Sequence, residues 1–362
     1  MSRDAPPLRI LDTSFNLLGE IDDYESLQFT RRFYRSGEFE IHIHLNKQHT
    51  DELKKDHVIM IGNMPHKSGI INHREINADT TETLVVKGTT LGGVFNRRIT
   101  VTDNYDRVRG SAETVMKHYV QNHIVNGIYP DRAMPFFVCA PDQQRGKQTP
   151  WQTRYEPLDQ VIQEIAEWCD IGWVVTLDIA TKKWVFDVLT GNNLTTSQKE
   201  KPPVIFSYEF DNIKSQQFID SDINYKNVGY AAGKGENEDR LIQSVGSGSG
   251  LARREVFLDC STAEDATELL ELGNQKLEEY KQVTTLSGQI LDTRSFVYES
   301  DWDLGDLVTI QNKSWGLTMD SRITEVTEIY EPDSKIEIGF GNEIPTITKF
   351  IRQLQEQTKR RL

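Results

Sequence analysis

The sequence predicts an α+β, mainly β fold, with β-rich parts at both ends, a small α+β segment inserted between them and an amphipathic helix at the C-terminus. Three observations predict it. Short apolar–polar alternations broken by Gly, Asp and Ser fill the first ninety-odd residues and return beyond residue 250. Two stretches between residues 111 and 169 switch to the spacing of a helix face. No repeat of solenoid period runs through the chain.

The elements follow in order. Leu8 to Leu11, Leu17 to Ile21, Glu25 to Arg35 and Glu38 to Leu45 read as strands separated by Gly19, Asp22–Asp23 and Ser36–Gly37. The fourth run alternates cleanly, with Phe39, Ile41, Ile43 and Leu45 on one face and Glu38, Glu40, His42 and His44 on the other. Val58 to Ile61, Lys67 to Ile76 and Thr83 to Lys87 continue the pattern, the first two joined through Gly62–Asn63. Ala112, Val115, Met116, Tyr119, Val120 and Ile124 line one helix face, with Ser111 as N-cap. Leu158, Val161, Ile162, Ile165, Ala166 and Cys169 line a second, opened by Pro157. Asp142 to Pro150 reads as a polar mobile loop, and Trp173 to Asp178 and Trp184 to Leu189 as a strand pair. Glu200 to Pro203 marks a boundary; Ile219 to Ala231 and Arg253 to Leu258 read as strands.

A third helix is expected to open at Ser261, with Glu264 completing a capping box. Ala263, Ala266, Leu269, Leu270, Leu277 and Tyr280 give its apolar face, and Gly273 is a weak point within it. Strands return at Thr284 to Leu291, Leu307 to Gln311, Leu317 to Ile329 and Lys335 to Phe340. The last seventeen residues place Ile347, Phe350, Ile351 and Leu354 on one side, before a basic Lys359-Arg360-Arg361 end.

Composition narrows the function. The 362 residues suffice for two or three domains with real cores. A formal charge of −14 opposes stable sequence-independent DNA binding, which needs cations to displace counterions. No run is long and apolar enough to span a membrane, and Met1 to Leu18 has no secretory pattern, so folding in a cytoplasm is expected. Cys139, Cys169 and Cys260 share no metal-type spacing and read as buried apolar residues.

The sequence marks no catalytic, cofactor-binding or metal-binding residue. Gly229 to Lys234 lacks the spacing of a phosphate loop and is followed by Gly235, so it reads as a hairpin turn. His42 and His44 share a strand face but lie on its polar side, and the spacing of His57, His66 and His73 supplies no third ligand. Gly246 to Gly250 carries the letters of a nucleophile elbow in polar, linker-like surroundings. Among Trp151, Trp168, Trp173, Trp184, Trp302 and Trp315, a candidate sugar-binding set, Trp168 and Trp173 read as core, whereas Trp302 and Trp315 flank strands as candidates for exposure.

One stretch carries more. Tyr298-Glu299-Ser300-Asp301-Trp302-Asp303-Leu304-Gly305-Asp306-Leu307-Val308-Thr309-Ile310 places a tight Asp–Gly–Asp turn at the head of a strand. It is followed by Arg322-Ile323-Thr324-Glu325-Val326 and a closing strand from Lys335 to Phe340. With Asp22 to Leu27, Ser36 to Ile41, and Lys87 to Leu91 before Arg97-Arg98-Ile99, this resembles the ReqiPepy-type siphophage tail protein family, related to baseplate hub and tail-associated proteins.

The resemblance implies two tube-like β-barrel domains per chain, residues 1–100 with 204–235 and residues 236–345, the second with one helix. It implies an α+β domain at 101–203 on the outside and a C-terminal helix at 346–362. It further implies a non-enzymatic tail-tip subunit, a homotrimeric ring of six barrels that continues the tail tube and lets DNA pass. The expected partners are copies of itself, the distal tail, tail-tube and tape-measure proteins, and a tail fibre; membrane insertion is not expected. Its place would be the virion tail, assembled in the host cytoplasm. Longer relatives carry lytic or fibre-binding extensions, and this sequence ends with its terminal helix. A wall-carbohydrate-binding tail protein is the alternative, and a cell-wall hydrolase the next.

Overall fold

In a computed structural model, which describes residues 6–78, 82–235, 239–290, 296–331 and 334–341, the chain is mainly β with a few helices and divides into two units. Among the described residues the first holds those up to 216 and 288–339; the second holds 217–287 and 340–341. The C-terminal stripe expected at 346–362 lies outside the described residues.

The first unit is built on one long antiparallel path. From its edge it runs Leu17–Ile21, Leu8–Leu11, Val58–Ile61, Ser68–Ala78, Glu82–Thr90, Glu38–His44, Ser26–Arg32, Leu317–Tyr330 and Lys335–Gly341. Strand alternation does what the sequence leads one to expect: Phe39, Ile41 and Ile43 are buried while their neighbours face outward. These join Leu8, Ile10, Leu27, Phe29, Ile59, Ile61, Leu84 and Val86 in one core, which Tyr330 from the far end of the chain completes. Phe29 pairs with Glu328 across the ladder, so residues nearly three hundred positions apart close the sheet. Leu307–Asn312 pairs antiparallel with Leu317–Tyr330 and takes Asn193–Leu194 and Ile205–Ser207 in parallel on its other side.

Between residues 106 and 189 lie two helices, α1 (Ala112–Val120) and α2 (Leu158–Cys169). Ser111 caps α1 by accepting from Thr114 N, and the six apolar residues assigned to each face are buried. A π turn, Gln121–Val125, extends α1 so that Ile124 still points inward. Asp170 ends α2 in a left-handed conformation. Gly172–Asp178 pairs with Lys183–Leu189, and Phe137–Cys139 joins the latter in parallel. Trp173 anchors this part to the long sheet: its N donates to Phe33 O and its indole N–H to Tyr34 O. Of the expected loop at 142–150, residues 142–147 carry no helix or strand, and the rest is corrected. Gln148–Thr153 is a strand paired with Asp106–Ser111, and Arg145 is clamped by Glu113 and Asp187, because polar residues here have ionic partners that a local reading cannot see.

In the second unit Val228–Ala232 runs between Ile242–Gly246 and Glu255–Asp259, with α3 (Ala266–Glu278) packed on them. The core is Ala231, Val245, Val256, Leu258, Cys260, Ala263, Leu269 and Tyr280. Two expectations are corrected here, and Gly246 to Gly250 is a turn as expected. The helix is capped by Asp265, whose carboxylate accepts from Thr267 N and Glu268 N, four residues after the expected Ser261 cap; Leu270 is 40% exposed and off the apolar face. Ile219 to Ala231 is two strands, Ile213–Ser221 and Val228–Ala232, parted by a turn at Asp222–Tyr225. The Gly/Ser run is a held turn: Ser247 N donates to Asn227 O and Arg253 to Gly248 O.

Candidate functional site

The turn that stood out in the sequence is the centre of a buried polar junction. Gly305 has φ +92°, and a Cβ there would lie 2.4 Å from the Phe33 ring, so both backbone and space demand glycine. The buried Asp306 carboxylate accepts from Asp303 N (2.8 Å) and Asn192 N (2.6 Å), fixing the turn to the parallel neighbour. Arg322 donates to Gly305 O at 2.6 Å and also grips Asp170 through Nε at 2.9 Å.

Tyr298, Glu299 and Asp303 converge on Arg31, which is 7% exposed. Its NH1 lies 2.9 Å from both Tyr298 Oη and Asp303 Oδ1, and 3.3 Å from Glu299 Oε1. Beside it the buried Lys67 reaches Glu328 Oε1 at 2.7 Å and Glu299 Oε2 at 3.1 Å, with its ammonium 5.0 Å from the Tyr298 ring centre. Tyr330 Oη donates to Glu328 at 2.5 Å, and His66 Nε2 stands 2.7 Å from Glu299. Burial alone raises the Glu299 carboxyl, but the hydrogen bond from His66 and the charge of Lys67 outweigh it and hold the pKa at about 2. Burial pushes the Tyr298 phenol well up. Glu299 is therefore an ionised anchor, not a proton donor.

A cavity of about 270 Å³ adjoins the junction, lined in part by Phe296, Tyr298, Trp302, Glu328, Tyr330 and Lys335. Trp302 is 2% exposed, edge-on to Phe206 and tilted against Tyr298, and its indole nitrogen has no hydrogen-bond partner among the described residues. This corrects the expectation of an exposed Trp302, against which two rings pack. Trp315 is half exposed, as are Tyr208 and Phe210. These sit on two turns tied by Glu209 accepting from Lys313 N at 2.8 Å.

The other groups singled out by sequence are dispersed. His42 pairs with Glu40 and His44 with Glu25, each with its own carboxylate. Gly229 lies inside a strand, and Gly233 O accepts from Arg240. Burial pushes the Cys139 thiol up to about 12 and Cys169 up to about 11, away from the reactive thiolate. Among the described residues no group of three or more His, Cys, Asp or Glu is arranged to hold a metal ion. Sequence reasoning missed two ionic clusters. Glu113, fully buried, is held by Lys117 and Arg145 well below the usual carboxylate range despite desolvation. Asp106 is likewise held down against burial by His118 at 2.7 Å and by His123. The chain spacing of Glu113 and Lys117, one helical turn, was the available signal.

A family model described as Siphovirus ReqiPepy6 Gp37-like protein matches residues 7–342. Among solved structures the fold is similar to the 43 kDa tail protein of prophage MuSo2 from Shewanella oneidensis, with TM-score 0.60 and 12% identity over 92% of this chain and 98% of that one. It is similar to a tail protein from Neisseria meningitidis MC58, at 0.58 and 14% over 93% and 96%. Prophage tail protein gp18 from Listeria monocytogenes EGD-e gives 0.55 and 13% over 98% and 99%. At these identities the likeness is one of fold. No curated protein matches the sequence.

Proposed function

The chain belongs to the Siphovirus ReqiPepy6 Gp37-like family of tail proteins, and on that premise we propose that it is a structural subunit of a phage or prophage tail tip, part of a ring that continues the tail tube and leaves DNA a path. The observation that carries this reading is the family match across both units of the chain, from residue 7 to 342. In this reading residues 1–100 with 204–235 and residues 236–345 form the two tube-like barrels, the part at 101–203 lies outside, and three copies make six barrels. The partners are further copies, the distal tail, tube and tape-measure proteins, and a fibre. The seat is the virion tail, assembled in the host cytoplasm.

The chemistry supports a non-enzymatic role. Glu299, Asp303 and Glu328 are paired with cations, and the two thiols with resolved shifts are held protonated. Immunogold labelling of intact particles with antibody against this chain is expected to mark the end of the tail distal to the capsid; label on the capsid, or none on any particle, would overturn the reading. Zymography on Gram-positive walls is expected to show no lytic band.

A second reading rests on Tyr208, Phe210 and Trp315, three exposed rings on tied turns, which suit stacking against sugar faces. Binding to purified wall polysaccharide that vanishes in Trp315→Ala would favour a host-recognition role.

A further inference from the structure

We propose that residues 346–362 of this chain dock along the outer flank of α3, with Arg352 and Lys359 set against its row of glutamates. The proposal goes beyond the tail reading and does not rest on it.

α3 leans to one side of its sheet. Leu277 lies over Gly246, where a Cβ would meet it at 2.7 Å, and Lys276 Nζ reaches across to Asp259 O at 2.7 Å. The flank beyond Leu272 thus looks over Glu255–Asp259, whose Val256 and Leu258 join the core on the helix side of the sheet. On that flank stand Glu264, Glu268, Glu271, Gln275 and Glu279, spaced four, three, four and four residues apart. Glu268 Oε2 accepts from Glu264 N at 2.6 Å. The other charges of this stretch have separate tasks: Asp265 caps the helix, Glu278 takes Lys281, and Lys276 is turned toward the sheet. A row of like charges at helix spacing opposes the helix, and Glu279 adds an acid at the end where the helix dipole is negative. A cationic neighbour reverses both effects.

The sequence beyond Gly341 supplies that neighbour. Phe340 and Gly341 belong to the same unit as α3. Residues 342–362 hold five Lys and Arg against two Glu. At helical spacing Ile347, Phe350, Ile351 and Leu354 form an apolar stripe, and Arg352, Gln355 and Lys359 run along one side of it. These three repeat the i, i+3, i+7 spacing of Glu268, Glu271 and Gln275. With the stripe laid against the partly buried Leu272, that side faces the glutamates. As a helix, 346–362 would run about 25 Å, the length of the flank. Residues 342–345 can bridge up to about 14 Å from the strand end. So short a tether holds the segment at a local concentration of order millimolar, which favours this site over one on another copy.

Carbodiimide coupling of the full-length protein tests this, in an equal mixture of ordinary and ¹⁵N-labelled chains. Peptide mass spectrometry is expected to find Lys359 joined to Glu268, Glu271 or Glu279 of the same chain. Arg352→Glu with Lys359→Glu should speed hydrogen exchange of the α3 amides about tenfold or more. Adding Glu271→Arg and Glu279→Arg to that variant should slow it again. Lys359 coupled only to acids outside α3 or to nothing, coupling only between differently labelled chains, or α3 exchange unmoved by the reversal overturns the proposal. The coupling is read on the unaltered protein, so it decides even where a variant fails to fold. None of these results touches the immunogold outcome, which tests the tail assignment separately.

Discussion

At the level of single residues, the buried pair Lys67–Glu328 sets the largest expected effect. Both are about 2% exposed, and removing one partner strands the other in a medium that cannot solvate it. Lys67→Met should cost about 3–5 kcal/mol, read as a lower denaturation midpoint in urea, whereas replacing both by apolar residues should cost far less. Glu299 gives a pH signature. Its folded pKa of about 2 lies below the ordinary 4.5, so it stabilises the fold above the ordinary value, and that contribution is lost as pH falls from there through about 2. Glu299→Gln should therefore destabilise at pH 7 by about 1–3 kcal/mol and flatten acid unfolding in that window. None of this was legible beforehand. Arg31 meets Tyr298 and Asp303, and Lys67 meets Glu328, across more than 260 residues of chain, where pattern reading has no reach. Gly305 and Asp306 were legible, because turn chemistry is local.

For the elements, periodicity served well where one face is buried and poorly where a cap or a contact decides. The faces of α1 and α2 were fully readable from spacing, since every apolar residue assigned to them is buried. The start of α3 was not. Ser261 and Asp265 are both good caps, and only the bonds from Thr267 N and Glu268 N choose between them. Asp265→Ala is thus expected to cost about 1 kcal/mol in thermal or urea unfolding, and Ser261→Ala only a few tenths. Gly273 read as a weakness and is a fitted contact: a Cβ there would lie 2.7 Å from that of Ala231. Gly273→Ala should destabilise by about 1 kcal/mol or more, the overpacking exceeding the gain in helix propensity, and a melting curve decides the sign.

Across the molecule, the mainly β class and the strands at both ends were legible, but their union in one path was not. Leu307–Asn312 illustrates the reason. Its three partners come from residues 193–194, 205–207 and 317–330, two parallel and one antiparallel, and nothing in its own letters selects them. The family likeness adds what periodicity lacks, since it compares the order of elements along the whole chain.

The ladder between Ser26–Arg32 and Leu317–Tyr330 also has a consequence for the moment of synthesis. One side of the early strand finds its hairpin neighbour at once, in Glu38–His44. Its other side waits for a segment that a ribosome making about 5–20 residues per second delivers some 15–60 s later. Throughout that interval the nascent chain carries an unfilled flank of backbone donors and acceptors. Messages truncated before codon 317 should accordingly yield insoluble product, while full-length translation stays soluble, as fractionation of cell-free reactions would reveal.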